Sequence, residues 1–245
     1  MPQKRDPLSW FHYADSKILT VGILLLLLFL FADLQRSLSS IGNASPILRV
    51  VLFLLISLIL YMGAFLRAQR TGSQKALSIV IWLCFCLYLY LLLSLTLFDP
   101  SLRLTQDRFS ESDLNKRAYY LQYFVNLRPF ESIYTVYIRG LIKGYVSLRY
   151  TVLNLLGNLC AFMPLALFLP WVFPKTKRWY WFVPVIILSV AAVEGLQYLL
   201  MVGSCDVDDL LLNAGGAIAL FFLLRIPPLS RLCEQIPKGF FKNKN

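Results

Sequence analysis

Acidic and amide side chains interrupt long apolar runs near the carboxyl end of this sequence. The stretch AAVEGLQYLL contains Glu194 and Gln197, and CDVDDLLLN contains Asp206, Asp208, Asp209 and Asn213. A carboxylate inside a membrane span is energetically unfavourable, so such residues usually face a polar cavity or a partner. Glu194 is therefore the candidate catalytic residue, as a general acid or base. The three aspartates offer the oxygen ligands that Mg²⁺ and Ca²⁺ prefer, so a divalent cation is the one candidate cofactor.

Structural roles compete with these chemical ones. Asp206 or Asp208 could cap the helix that follows, and for a single aspartate we favour that interpretation. Asn154 and Asn158 are one helical turn apart and could join neighbouring spans through hydrogen bonds. Neither capping nor helix propensity explains Glu194, for which we favour a functional role.

The composition predicts the elements that must position these residues. The chain has 245 residues, of which 58% are hydrophobic and 15% charged, and its mean hydropathy is +0.64. Soluble domains are roughly half apolar and a quarter charged, so we predict a polytopic membrane protein. Six segments suit a hydrocarbon core about 30 Å thick: 18–34, 46–65, 76–98, 153–172, 179–202 and 210–226. The predicted fold class is all-α, a transmembrane helical bundle of about six spans, the first being retained rather than cleaved as a signal peptide.

Basic residues predict how these spans are oriented. Short connections that face the cytoplasm carry an excess of Lys and Arg. Such residues cluster before the first span, after the second and fourth spans, and in the tail: Lys4, Arg5, Lys17, Arg67, Arg70, Lys75, Lys175, Lys177, Arg178, Arg231, Lys238, Lys242 and Lys244. We therefore predict a multi-pass membrane protein with both termini in the cytoplasm. Topology and lipid headgroups then explain the formal net charge of +11 without nucleic acid as a partner.

This orientation brings polar residues of three spans to a similar depth near the outer surface. Glu194 lies about 12 Å below the outer end of the fifth span. The connection 99–151 is external, ends in an interfacial segment before the fourth span, and contains the motif VNLRPFESI. One outward-facing cavity is predicted, with these candidate binding residues: Asn126, Arg128, Asn154, Asn158, Glu194, Gln197, Asp206, Asp208, Asp209 and Asn213.

Familiar catalytic motifs are missing from the sequence. His12 is the only histidine and is predicted to lie on the cytoplasmic side, so it cannot complete an external Ser-His-Asp triad. The sequence has no HExxH zinc signature and no P-loop. The five cysteines are scattered and odd in number, so they do not suggest a disulfide framework.

Four ordered sequence blocks between Leu87 and Leu224 carry a family resemblance. They are LSLTLFD, VNLRPFESI, NLLGNLCAFMPLALFLP and EGLQYLLMVGSCDVDDLLLNAGGAIAL, and their order resembles the VanZ-like family of bacterial membrane proteins. The family pattern falls on Asn126, Pro129, Phe130, Asn158, Phe162, Pro164, Glu194, Gln197, Asp206, Asp208, Asp209 and Asn213. Two departures are notable: Ala166 replaces a usual glycine, and Gly203 or Ser204 stands where many relatives have an arginine. If that arginine neutralises the acidic residues in relatives, Arg128 is the candidate to do so here.

The resemblance implies a location in the bacterial cytoplasmic membrane and a connection with low-level resistance to the lipoglycopeptide teicoplanin. It supplies no catalytic mechanism. We predict two amino-terminal spans in residues 1–75, a VanZ-like membrane domain in 76–226 and a basic cytoplasmic tail in 227–245. The preferred function is binding of an envelope lipid, a lipid-linked cell-wall precursor or a lipoglycopeptide, with membrane lipids as further partners. A membrane-embedded enzyme acting on a lipid-linked envelope substrate is the alternative, and a transporter is the third hypothesis.

Overall fold

The computed structural model describes residues 11–39, 45–98, 113–227, 229 and 230. Those residues are helical almost throughout, which confirms the all-α prediction. The helices are α1 (Phe11–Ser39), α2 (Pro46–Thr71), α3 (Lys75–Thr96), α4 (Asp113–Tyr123), α5 (Gly140–Ile142), α6 (Leu148–Ala161), α7 (Leu165–Val172), α8 (Trp179–Leu200) and α9 (Val207–Leu223). A π-helix, Ile133–Arg139, precedes α5, and a 3-10 helix, Pro174–Lys177, follows α7. Lys4, Arg5, the side chain of His12, and the predicted tail from Arg231 onward lie outside the described residues.

Several of these helices are long and apolar enough to cross a membrane, so the chain is a multi-pass membrane protein. Within the described ranges there are five: Ala14–Gln35, Pro46–Thr71, Lys75–Thr96, Leu148–Val172 and Trp179–Leu200. The sixth predicted segment forms α9, which has 17 residues and therefore a length of about 26 Å. Asp208 and Asp209 occupy its first turn, so its uninterrupted apolar part is shorter still.

The predicted fourth span corresponds to the membrane-length segment Leu148–Val172, which is kinked where α6 ends and α7 begins. The turn Phe162–Pro164 separates α6 from α7. Pro164 has no N–H to donate to the preceding turn, and its ring clashes with the carbonyl group four residues earlier, so the helix is kinked here. The chain resumes at once, because the carbonyl oxygen of Pro164 accepts the N–H of Phe168 at 3.0 Å.

The described chain divides into two compact units. The first contains α1, α2 and α3 as far as Leu95, and the second begins at Thr96. In the first unit, glycines allow α1 and α2 to approach closely. A Cβ atom on Gly22 would lie 2.8 Å from Leu60 Cδ2, and one on Gly63 would lie 3.0 Å from the backbone nitrogen of Leu19.

A buried ion pair joins all three helices of the first unit. Arg49 Nε lies 2.8 Å from Asp33 Oδ1, and the two side chains are 3% and 4% exposed. The hydroxyl of Tyr90 donates to Asp33 Oδ2 at 2.7 Å, and Arg49 also donates to Ser94 Oγ. This ion pair could not be predicted from sequence, because Asp33 and Arg49 lie at the edges of apolar segments, where single charges are common.

The core of the second unit forms where α9 packs against α6 and α8. Gly216 lies so close to α6 that a Cβ atom there would overlap the carbonyl oxygen of Leu159, at 1.9 Å. The rings of Phe182 and Phe221 are stacked with centroids 3.8 Å apart, and both side chains are fully buried. These contacts fix the position of α9, whose first turn carries the acidic residues.

Candidate functional site

A short parallel strand pair brings two distant motifs together. Strand β1 (Val125–Asn126) pairs with β2 (Cys205–Asp206), so that Asn126 is opposite Asp206. The N–H of Cys205 donates to the carbonyl oxygen of Phe124 at 2.9 Å. The pairing places the VNLRPFESI motif beside the first turn of α9.

Asp206 connects these two motifs through its side chain. Its Oδ1 accepts the N–H of Asp208 at 2.9 Å, which caps α9, and it also accepts the side-chain amide of Asn126 at 3.2 Å. The hydroxyl of Ser132 donates to Asp206 Oδ2, while Asn126 donates to Ser132 Oγ at 2.9 Å. Sequence reasoning missed Ser132, although its place in the RPFESI segment was the signal that could have found it.

Asp208 holds the turn that precedes the π-helix. Its side chain is 1% exposed, and its two carboxylate oxygens accept the N–H groups of Phe130 and Ile133. Phe130 has a φ of 63°, a left-handed conformation that is sterically unfavourable for a bulky residue. The buried carboxylate stabilises this turn by accepting the amide of the strained residue itself.

Asp209 faces the other way, toward α6. The side-chain amide of Asn158 donates to Asp209 Oδ1, which joins α6 to α9. Asn154 is one turn earlier but donates to the carbonyl oxygen of Tyr150 in its own helix, at 2.8 Å. The structure therefore brings Asn158 to the acidic residues and leaves Asn154 bonded within α6.

Glu194 lies close to these aspartates but keeps one oxygen unbonded. Its side chain is 8% exposed, and it interacts with the charges of Asp206 and Asp209 and with the backbone amide of Asp206. Its Oε2 has no hydrogen-bond partner among the described residues. We use the name polar cluster for this group and the residues bonded to it: Asn126, Ser132, Asn158, Glu194, Asp206, Asp208 and Asp209.

Asn213 is a second buried acceptor without a bond. It follows Asp209 by one turn of α9, is 6% exposed, and its Oδ1 has no partner in the part of the chain that the structure describes. Gln197, by contrast, is used for packing: its side-chain amide donates to the carbonyl oxygen of Thr96 at 3.0 Å. Its backbone carbonyl oxygen accepts the hydroxyl of Tyr120 at 3.3 Å.

Arg128 does not neutralise the aspartates. Its side chain is 85% exposed, and its Nε lies 3.8 Å from Glu131 Oε2. Within the described ranges, no Lys or Arg forms an ion pair with Asp206, Asp208 or Asp209. Neutral hydrogen-bond donors stabilise these carboxylates instead. They are backbone amides, asparagine side chains and the Ser132 hydroxyl.

The three aspartates point to different partners rather than to one centre. Among the described residues, no group of three or more His, Cys, Asp or Glu side chains is arranged to hold a metal ion. Asp206 and Asp208 already accept hydrogen bonds with both of their carboxylate oxygens. A divalent cation at this site therefore stays a prediction.

Burial and negative charge alter the acid chemistry of two residues beside the polar cluster. Burial is the main cause that raises the pKa of Tyr120 to about 12, and the nearby Cys205, Glu194 and Tyr198 add to the effect. Burial also raises the pKa of the Cys205 thiol, and the carboxylates of Glu194, Asp206 and Asp209 add to that effect. In both cases the neutral, protonated form is favoured.

We expect the thiol of Cys205 to react slowly with maleimides at neutral pH. The thiolate is the reactive species, and because its pKa is raised, the rate should continue to rise at pH values where an ordinary thiol, of pKa about 8.5, has levelled off. Asp206→Asn removes one nearby negative charge and should shift the rate profile to lower pH. The measurement is the alkylation rate against pH in a variant whose only cysteine is Cys205.

The same variant tests the predicted orientation. A membrane-impermeant maleimide should label Cys205 on intact cells, because the connection around it is predicted to be external. Labelling only after lysis would place that connection in the cytoplasm. A pH profile equal to that of a free thiol would instead contradict the buried, acidic surroundings of Cys205.

Comparison with known proteins gives one match. A protein-family model described as VanZ/LLP1 matches residues 85–228, which is more than half of the chain. The match contains the whole polar cluster and the helices α4 to α9, and it excludes α1 and α2. No curated protein and no solved structure matches the chain.

Proposed function

The chain belongs to the VanZ/LLP1 family, and from this premise we propose that its polar cluster is part of an outward-facing binding site. The ligands we propose are an envelope lipid, a lipid-linked cell-wall precursor or a lipoglycopeptide. One observation carries the proposal: Glu194 Oε2 and Asn213 Oδ1 are buried acceptors without hydrogen-bond partners among the described residues. Unpaired buried acceptors are unfavourable, so a bound group that donates hydrogen bonds stabilises them.

The chemistry of the cluster favours a ligand rich in hydrogen-bond donors. The cluster holds four carboxylates and no basic side chain, so hydroxyl, amide or ammonium groups suit its interior better than phosphate does. Cell-wall precursors and lipoglycopeptides present many such groups. Arg128 is exposed beside the cluster, where its guanidinium is accessible to the phosphate of a lipid-linked precursor.

A role in teicoplanin susceptibility agrees with the predicted orientation. Lipoglycopeptides act outside the cell on cell-wall precursors. The basic residues of the short connections predict that α8 ends, and α9 begins, on that side. Binding at the polar cluster would then change how much drug or precursor is accessible there.

The test is antibiotic susceptibility in a deletion strain that carries the gene on a plasmid. Wild type should reduce susceptibility to teicoplanin more than to vancomycin, and Glu194→Gln should abolish this protection. Loss of one buried hydrogen-bonding oxygen should weaken ligand binding about tenfold. Because Glu194 Oε2 has no partner to lose among the described residues, the abundance of the variant should stay normal.

Glu131→Gln is the matched control, since it removes a partly exposed carboxylate outside the cluster. It should protect as wild type does. Equal protection by wild type, Glu194→Gln and Glu131→Gln would show that the cluster has no role in susceptibility. If none of the three forms protects at equal membrane abundance, this chain has no role in teicoplanin resistance.

A membrane-embedded enzyme is the second candidate function, and the same unpaired oxygen favours it. A buried carboxylate with a free oxygen can act as a general acid or base toward a bound substrate. Turnover of a lipid-linked substrate by the purified protein, with and without added Mg²⁺, distinguishes catalysis from binding. An enzyme should lose turnover in Glu194→Gln, whereas a binding protein should show none in either form.

A further inference from the structure

A cavity of about 640 Å³ lies within the first unit, among α1, α2 and α3. The residues that line it come from the start of α1, the end of α2 and the start of α3: Ser16, Leu19, Thr20, Ile23, Leu60, Arg67, Thr71, Ser73, Lys75, Ala76, Ile79, Val80 and Leu83. Its volume falls in the range of small-molecule sites, about 300–1,000 Å³. It is remote in sequence from the polar cluster, and every residue of its lining precedes the region of the family match.

The lining divides into a polar end and an apolar end. Two cations, Arg67 and Lys75, lie in the same lining as the hydroxyl-bearing Thr71 and Ser73. Further along α3, and so toward the middle of that helix, the lining becomes apolar with Ile79 and Leu83. This lining is complementary to an amphiphile that has a charged head and a hydrocarbon chain.

The cations at the polar end form no ion pair with any residue that the structure describes. Among the described residues, neither Arg67 nor Lys75 lies within ion-pair distance of a carboxylate, whereas Arg70 pairs with Asp15 at 2.9 Å. The α2–α3 turn also places the amino-terminal end of α3 at the cavity, with Ala76 in the lining. Helix amino termini attract anions through their free N–H groups.

We propose that this cavity binds one anionic phospholipid. Arg67 and Lys75 contact the headgroup phosphate, with Thr71 and Ser73 beside it, and an acyl chain lies along Ile79 and Leu83. The predicted orientation places this end of the helices at the cytoplasmic leaflet, where anionic lipids attract basic residues near the membrane surface. The site is independent of the proposed function of the second unit.

The test measures lipid binding by the purified full-length protein. Native mass spectrometry in detergent, with phosphatidylglycerol or phosphatidylcholine added, should show selective retention of phosphatidylglycerol. The Arg67→Gln/Lys75→Gln double variant should lower this retention about tenfold or more, because charge-assisted contacts to phosphate are lost. The control double variant, Lys17→Gln/Lys175→Gln, removes the same charge from residues outside the cavity and should change retention less than about twofold.

Ile79→Trp tests the apolar end without a change of charge. Ile79 is 66% exposed, so the variant should fold, yet the larger side chain should obstruct the acyl chain and reduce phosphatidylglycerol retention. Soluble glycerol phosphate should bind far more weakly than the lipid to every form of the protein. Glycerol phosphate binding as tight as that of the lipid would overturn the proposal in favour of a soluble anion. Equal losses of retention in both double variants would overturn it in favour of nonspecific surface charge. Equal retention of both lipids would overturn it in favour of nonspecific apolar contact.

Discussion

Replacing Asp208 by alanine should unfold the VNLRPFESI turn and destabilise the second unit by about 3 to 6 kcal/mol. The carboxylate accepts the N–H groups of Phe130 and Ile133, and a hydrogen bond to a charged group contributes about 1.5 to 3 kcal/mol. The Asp208 side chain is only 1% exposed, so water cannot readily take its place. The left-handed conformation of Phe130, with φ of 63°, then loses the contact that stabilises it.

Two measurements check this expectation in detergent. The Tm should fall by roughly 10 °C or more, and amide hydrogen exchange should become fast around Phe130 and Ile133 before the rest of the unit unfolds. Asp208→Asn should give a smaller loss of stability than Asp208→Ala, because its amide oxygen still accepts one of the two N–H groups. Its NH2 group cannot accept the other. Glu131→Gln is the control for charge and should change stability by less than about 0.5 kcal/mol. Unchanged exchange in Asp208→Ala would mean that another group holds the turn.

Replacing Arg49 by leucine should destabilise the first unit by about 3 kcal/mol or more. Removal of one partner leaves Asp33 as a buried charge, which typically costs about 3 to 5 kcal/mol. The loss should lie near the lower end of that range, because Tyr90 still donates to Asp33 at 2.7 Å. The measurement is the fraction folded during titration with a denaturing detergent.

The double variant Asp33→Leu/Arg49→Leu tests the reason for that loss. Replacement of a buried ion pair by apolar side chains is often neutral or stabilising, so the double variant should be more stable than Arg49→Leu alone. Arg128→Leu removes an arginine whose side chain is 85% exposed and should have little effect. A double variant less stable than the single one would indicate that Asp33 is stabilised mainly by its hydroxyl donors.

The acidic residues of the DVDD segment have separate tasks. Asp206 caps α9 and holds the Asn126 and Ser132 side chains, whereas Asp208 holds the turn at Phe130. Loss of activity after a change at either residue would therefore report damage to the scaffold as readily as damage to a site. Glu194 is the better probe of function, because one of its oxygens makes no bond to the described protein.

Most of the fold was predictable from residue types that follow one another in the chain. The lengths of α2, α3 and α8 could be predicted from the lengths of their apolar segments. The ordered blocks around Glu194 and Asn158 carried the family resemblance, which the match over 85–228 confirms. The break between α6 and α7 escaped the prediction. An apolar segment that contains prolines, here Pro164 and Pro170, has the composition of one kinked span as well as that of two helices.

The sequence by itself determined that this is an all-α, multi-pass membrane protein, because hydrophobicity accumulates along each segment and needs no knowledge of neighbours. It also placed Glu194, Asp206, Asp209 and Asn158 in one region, since the ends of consecutive spans meet. Only the tertiary structure decided what each of these groups does. The partners of Asp208 are backbone amides 78 and 75 residues earlier, and an N–H group that nearly every residue possesses has no signature in a sequence. Whether an acceptor is bonded depends on which atoms the packing of α6, α8 and α9 brings within reach. In the part of the chain that the structure describes, that packing gives Glu194 Oε2 no partner.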